Sequence, residues 1–275
     1  MPRTYPAGVT SWVDIECPDT EAAVAFYGGL FGWTFELATP PGGPARYFIA
    51  RLDGLDAAGI GEAAPSGEQP QWHTYVAVDD ADAAAARIGG AGGRVLAGPT
   101  DAGEGGRSVR CADPFGVTFR LWQARRRPGV QVVNTPGAWN FSDLHAADPG
   151  ASAGFYTEVF GWSIDDLGFG SMFRVPGYGD HLAATVDPSI HERLADVSAP
   201  PGFADAIGWL AAARPGEEPH WHVTFAVADR DASAERAELL GGTVLDRAEN
   251  EWTREALVRD PQGAVFTASQ FAPAG

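Results

Sequence analysis

Lysine is absent from this chain; all 19 basic residues are arginine. A guanidinium cannot supply an unprotonated amine nucleophile, so Schiff-base chemistry from the chain's own side chains is excluded. Cysteine is nearly absent too. Cys17 and Cys111 are the two present, which rules out a disulfide framework and fits a reducing compartment. Positive charge is scarce: a net charge of −17 with one short basic run, Arg125-Arg126-Arg127, argues against nucleic acid and anionic membranes as partners, because phosphate contacts need clustered cations. The opening Met1–Pro6 lacks the apolar core of a signal peptide, and no run approaches membrane-spanning length. The expected location is the cytoplasm.

What is present is a duplicated globular chain. Its 275 residues, 45% hydrophobic and 11% aromatic, suffice for two domains with real cores. The stretch Gln71-Trp72-His73-Thr74-Tyr75-Val76-Ala77-Val78-Asp79-Asp80 returns as His220-Trp221-His222-Val223-Thr224-Phe225-Ala226-Val227-Ala228-Asp229. Each copy alternates like a strand, putting His73 with Tyr75 and His222 with Thr224 on matching faces.

Residues 9–16 read as a strand with Trp12, Asp14 and Glu16 on one face. A helix capped by Asp19 and stopped by Gly32 follows, then strands Trp33–Leu37, Tyr47–Leu52 and Ala57–Gly61. The order then repeats: strand His73–Val78, helix Asp80–Ile88, strands Arg94–Ala97, Arg107–Ala112 and Val117–Trp122. Strand, helix and three strands, twice over, is a βαβββ pair. A Pro/Arg-containing connector, Gln123–Pro136, separates two domains, 1–124 and 137–275. In the second, Phe155-Tyr156-Thr157-Glu158-Val159-Phe160-Gly161-Trp162 repeats Phe26-Tyr27-Gly28-Gly29-Leu30-Phe31-Gly32-Trp33 at an offset of 129 residues. Asp260-Pro261-Gln262-Gly263 repeats Asp113-Pro114-Phe115-Gly116 at an offset of 147. The difference locates an insertion within Asp187–Gly216, between the fourth and fifth strands of that half, where Ala204–Ala213 reads as a short helix.

With its F-Y-x-x-x-F-G-W helix end, its histidine-led strand running into acidic residues, and its D-P-x-G turn, all in duplicate, the chain resembles the vicinal oxygen chelate superfamily of glyoxalases, bleomycin-resistance proteins and extradiol dioxygenases. The tandem glyoxalase-like members are most similar. The resemblance implies an α+β fold of four βαβββ modules, with curved mixed sheets forming cups and helices outside. Metal-using members draw ligands from strand positions, and residue by residue these fall on Trp12, His73 and Arg120 in the first half, and on Phe141, His222 and Thr267 in the second. Trp12 and Phe141 cannot bind a metal, and a guanidinium at position 120 repels one. Neither cup is therefore expected to hold stoichiometric zinc, iron or manganese, and no cofactor is implied. A relocated set, Asp143, His145 and His222, is the alternative that keeps a metal.

On alternation, Trp12, Asp14, Glu16, His73, Tyr75, Arg120 and Trp122 point into the first cup. Aromatic walls with a few convergent polar groups describe a small-molecule site. His73, Asp14 and Arg120 are the candidate catalytic groups: an imidazole for proton transfer, a carboxylate to tune it, and a cation for an acidic or carbonyl-bearing ligand. Trp12, Glu16, Tyr75 and Trp122 are candidate ligand contacts in this cup, and Phe141, Asp143, His145, His222 and Thr267 in the second. Each has a structural reading as well: satisfied strand histidines, a buried arginine ion pair, aspartates bonding a neighbouring strand. Asp113 and Asp260 read as turn residues, and the aromatic helix stripes as core.

Three functions follow: metal-independent binding of an aromatic, carbonyl-bearing or glycosylated natural product, as in antibiotic resistance; acid–base catalysis by His73, Asp14 and Arg120; and lyase-, isomerase-, hydroxylase- or dioxygenase-like chemistry on a relocated metal. The partner is a small molecule. One chain supplies enough modules to bind it as a monomer, with a homodimer left open. The insertion, with apolar Phe203, Ile207, Trp209 and Leu210, is expected to cover the second cup.

Overall fold

The computed structural model describes residues 2–40, 45–63, 69–168, 170–197 and 199–273. The first half contributes β1 (Thr10–Cys17), α1 (Thr20–Phe31), β2 (Thr34–Leu37), β3 (Tyr47–Leu52), β4 (Leu55–Glu62), β5 (Gln71–Ala77), α2 (Ala81–Gly90), β6 (Arg94–Asp101), β7 (Gly106–Ala112) and β8 (Thr118–Ala124). The second contributes β9 (Trp139–Ala146), α3 (Pro149–Phe160), β10 (Ser163–Asp166), β11 (Ser171–Arg174), α4 (Tyr178–Thr185), α5 (Ile190–Asp196), β12 (Ala206–Ala212), β13 (His220–Ala226), α6 (Arg230–Leu239), β14 (Thr243–Glu249), β15 (Thr253–Arg259) and β16 (Val265–Phe271). Two mixed sheets of eight strands result, ordered β2-β3-β4-β1-β5-β8-β7-β6 and β10-β11-β12-β9-β13-β16-β15-β14. This is the α+β fold of four βαβββ modules. Among the described residues no helix is long and apolar enough to cross a membrane.

Local chemistry accounts for the helix ends. Asp19 accepts from the backbone N–H groups of Glu21 and Ala22, satisfying donors that a helix start leaves bare. Gly32 closes α1 at φ +74°, a left-handed conformation that costs a residue without Cβ nothing. Asp148 and Gly161 do the same for α3.

The chain gathers into two compact units, and each holds one module from either half: residues 1–12, 74–129 and 142–221 in one, 13–73, 130–141 and 222–275 in the other. In the first, Tyr156 on α3 hydrogen-bonds Asp113 of the first half's D-P-F-G turn at 3.4 Å, and Trp221 donates to the Tyr156 hydroxyl at 3.0 Å. In the second unit, Tyr27 on α1 donates to Asp260 of the other D-P-Q-G turn at 2.9 Å, and Trp72 donates to Tyr27 at 3.1 Å. Each aspartate's other oxygen takes the turn's own N–H groups, those of Phe115 and Val117 or of Gln262, Gly263 and Ala264. The two repeated motifs are thus halves of one buried tie.

The inserted segment departs from expectation in two ways. Its extra residues precede the fourth strand of the second half, not the fifth, and residues 206–212 form β12 rather than a helix. Pairing with β11 and β9 overrides the alanine-rich local preference. Ile207 and Leu210 enter the core of the first unit with Tyr178, Leu182 and Ile190, so α4 and α5 are anchored by apolar packing. Phe203 rests on Trp209, ring centroids 6.2 Å apart.

Candidate functional site

Strand register brings Tyr75 opposite Arg120 and Ala77 opposite Trp122 in the first unit. Both Tyr75 and Arg120 are buried, at 5% and 6% exposure. The Arg120 guanidinium donates to the Tyr75 hydroxyl at 2.9 Å and lies 5.5 Å from the centre of its ring. Trp122 meets Tyr75 edge-on, centroids 6.4 Å apart, and is steered by its indole N–H bond to the Arg127 carbonyl at 2.7 Å. Trp12, also buried, belongs to the same unit. A buried cation framed by aromatic faces can hold a carboxylate, enolate or carbonyl oxygen and stack the ring that carries it.

Asp14, Glu16 and His73 fall in the other unit. Asp14 is fully buried and accepts from the Tyr47 hydroxyl at 2.9 Å. Gly59 lies opposite Asp14 on β4, and a Cβ there would sit 2.1 Å from that hydroxyl. Glycine at 59 is what lets Tyr47 reach across the sheet. Glu16 is half-buried opposite Gly61, and His73 is buried. Tyr47 was not among the residues singled out from sequence; its partner glycines, Gly59 and Gly61 on one strand face, were the available signal.

In the second sheet, Thr224 pairs with Thr267 as Tyr75 pairs with Arg120. Thr267 therefore occupies the arginine's place. His222 bonds the Thr267 hydroxyl at 2.8 Å, both side chains buried, and Phe141 of the same unit is half-buried. Asp143 accepts from the Trp209 backbone N–H at 3.2 Å. His145 lies beside Glu217 and His220. Its Nδ1 is 2.7 Å from Glu217 Oε1, and the two imidazole centroids are 5.0 Å apart. The Arg214 N–H holds Glu217 Oε2 at 2.8 Å, and His220 Nδ1 lies 2.9 Å from the Glu218 carbonyl. Burial pushes the Glu217 carboxyl up, but the bonds from Arg214 and His145 outweigh it and hold the group below its usual value. Burial holds the His220 imidazole below its own. Neither Glu217 nor His220 was among the candidates from sequence. His220 and His222 sit two apart on one strand, hence on one face, which was the signal to use.

A metal at the superfamily's ligand positions does not fit these side chains. Trp12 and Phe141 offer no donor, Arg120 brings positive charge, and Thr267 is occupied with His222. Elsewhere, a hollow of about 290 Å³ opens in the inserted segment, lined by Asp180, His191, Leu194, Phe203 and Asp205 among others.

Comparison with known proteins agrees with this architecture. Residues 10–121 match the Glyoxalase/Bleomycin resistance protein/Dioxygenase superfamily, and residues 141–269 a glyoxalase-like domain. CFP32 of Mycobacterium tuberculosis, a candidate glyoxylase by name, is 35% identical over 99% of both chains. The anthracycline biosynthesis protein DnrV of Streptomyces peucetius is 33% identical over 97% of this chain and 94% of its own. Among solved structures, the Mn(II)-bound glyoxalase of Novosphingobium aromaticivorans superposes with a TM-score of 0.61 at 16% identity, covering 96% of this chain and 82% of that one. The 2,3-dioxygenase LapB of Pseudomonas sp. KL28 gives 0.60 at 13%, covering 99% and 98%. Motifs, topology and relatives over the full length converge: this chain belongs to the glyoxalase/bleomycin resistance protein/dioxygenase superfamily, the vicinal oxygen chelate proteins, as a tandem glyoxalase-like member.

Proposed function

We propose that this chain binds a small planar natural product bearing an acidic or carbonyl oxygen, without a metal at the superfamily's ligand positions. The observation that carries this reading is Arg120: buried, aimed at Tyr75, and standing where metal-using relatives place an anionic ligand. A guanidinium there does the work of a cation without an ion, neutralising the ligand's oxygen while Tyr75 and Trp122 take its rings. The kinship with a protein named for anthracycline biosynthesis supports an aromatic, polyketide-like ligand class. Cytoplasmic residence accords with such a role.

Calorimetry with a panel of anthracyclinone-type acids and their neutral esters tests this. A charge-assisted bond shielded from water is worth about 1.5–3 kcal/mol, so Arg120→Ala should weaken acids by roughly 10- to 100-fold and neutral analogues much less. Equal affinity of wild type and Arg120→Ala for every ligand would remove this site from the function.

A second reading is favoured by the Tyr47–Asp14 pair, a hydroxyl held on a buried carboxylate. In an acid–base enzyme Asp14 and His73, which belong to the same compact unit, would move protons. Asp14→Asn separates the two: turnover lost with binding intact supports catalysis, and binding alone, with no turnover in wild type, removes it.

A further inference from the structure

We propose that His145, Glu217 and His220 form a binding site for one divalent transition-metal ion of the zinc class, at positions the superfamily does not use. One donor atom from each of the three lies within 4.8 Å of the other two. Two imidazoles and a carboxylate are a donor set suited to borderline divalent ions, and three protein ligands leave a coordination position open for water or an oxygen ligand. His145 comes from β9, His220 starts β13, and Glu217 belongs to the turn before it, so the set is assembled from adjacent strands and one tight connection. This inference stands apart from the Arg120 reading and does not depend on it.

The surroundings are those of a held site rather than a chance meeting of exposed groups. The three side chains are 19%, 23% and 33% exposed, open enough for an ion to enter. A carbonyl oxygen can only accept, so the His220 Nδ1, 2.9 Å from the Glu218 carbonyl and 4.0 Å from Glu217 Oε1, carries the proton, and a turn of the ring is needed to bring the lone pair of Nε2 to an ion. Carbonyl partners of this kind orient metal-binding histidines. The Arg214 N–H fixes one oxygen of Glu217 and leaves the other turned to His145. The 2.7 Å between His145 Nδ1 and Glu217 Oε1 is a span bridged by one proton. Ligand bonds of ~2.1 Å would set donors roughly 3.0–3.4 Å apart, so this pair opens by a few tenths of an ångström while His220 closes in. The expectation of a metal-free second half rested on Phe141 and Thr267 alone, and none of these three residues takes part in it.

The test uses full-length, tag-free, chelator-treated protein with Zn²⁺ or Co²⁺ alone as the probe. Competition against a fluorescent zinc indicator gives stoichiometry and affinity, the visible absorption of bound Co²⁺ reports imidazole coordination, and thermal melts with and without Zn²⁺ report linkage. The expected result is one ion per chain, with Zn²⁺ raising the melting temperature. His145→Ala and His220→Ala should each weaken binding at least ~100-fold, the upper end of what even an outer-shell change costs, and abolish the Co²⁺ spectrum and the Zn²⁺-dependent melting shift. Glu217→Gln should weaken binding less, since an oxygen donor remains. His191→Ala, a histidine of the inserted segment with its own Asp180 partner, should change nothing. Far-UV dichroism of the metal-free variants confirms folding. No bound ion in wild type, an affinity unchanged in both histidine variants, or loss confined to His222→Ala would each overturn the proposal.

Discussion

Tyr27→Phe isolates the buried tie of the second compact unit. The hydroxyl gives its proton to Asp260 Oδ2 at 2.9 Å and takes one from Trp72 Nε1 at 3.1 Å. Burial, and then the Asp260 carboxylate, push the phenol well above its ordinary value, so it stays a donor throughout the working pH range. Phenylalanine keeps the ring stacked on Trp33 and edge-on to Trp72, so no cavity beyond one oxygen opens. What is lost is a bond to a charged group, about 1.5–3 kcal/mol, and what is left is a buried indole N–H without its acceptor, about 1–3 kcal/mol. A net loss of about 3 kcal/mol follows. At about 2–4 °C per kcal/mol for a chain of this order, the melting temperature should drop by about 6–12 °C. Urea unfolding followed by tryptophan fluorescence measures it, with Asp260→Asn and the double variant completing a thermodynamic cycle. Tyr156→Phe is the internal comparison: its bond to Asp113 is longer, 3.4 Å, so its cost should be smaller. A loss below 1 kcal/mol for Tyr27→Phe, or strict additivity with Asp260→Asn, would refute the tie.

Gly59→Ala would drive a methyl into the Tyr47 hydroxyl and to 2.9 Å from the Asp14 Cβ; breaking the Tyr47–Asp14 bond and overpacking the sheet should cost about 1–3 kcal/mol by urea titration. Gly208→Ala meets the Ser142 carbonyl at 2.3 Å, backbone that cannot swing aside, and should lower expression or melting temperature more than Gly59→Ala does. Burial pushes the thiols of Cys17 and Cys111 from 9.0 to about 12. Native protein should resist a thiol reagent at pH 8 and react fully in denaturant. Between pH 9 and 12 the unfolded chain loses thiol protons that the folded chain keeps, so stability falls as pH rises through that window and is untouched below it. Cys17→Ala with Cys111→Ala should flatten the alkaline arm of the urea midpoint against pH, and an unchanged arm would refute it.

The modules were legible because their signals are local. Asp19 as a cap, Gly32 as a stop and the alternation of residues 71–77 each state the geometry of a few neighbours, and the structure places them accordingly. What joins the modules was not legible. Tyr27 and Asp260 are 233 residues apart, and a tyrosine in an apolar helix stripe reads as core, which it also is. The same limit hid Tyr47 and Glu217: each gains its meaning from a strand or turn brought beside it by pairing, and no period in its own segment announces that. Residues 206–212 failed in the opposite direction. Their alanines favour a helix locally, yet strand partners on both sides decide the outcome.

The framework and the site obey different constraints within this duplicated chain. Each Tyr–Asp–Trp tie uses a helix from one half and a turn from the other, so loss of either copy would leave a buried carboxylate or indole unpartnered in a compact unit. That accounts for the motifs' presence in duplicate without any appeal to function. The strand positions of the two proposed sites differ in kind between the repeats: Arg120 answers to Thr267 in register, Tyr75 to Thr224, and by the 129-residue offset Glu16 answers to His145. The two proposed sites, a buried cation for an oxygen ligand in one half and two imidazoles with a carboxylate for an ion in the other, would then be independent uses of one frame. Removing Arg120 should leave Zn²⁺ affinity unchanged, and removing His145 should leave the affinity for acidic ligands unchanged. Coupling between the two in either direction would mean that they are parts of a single site.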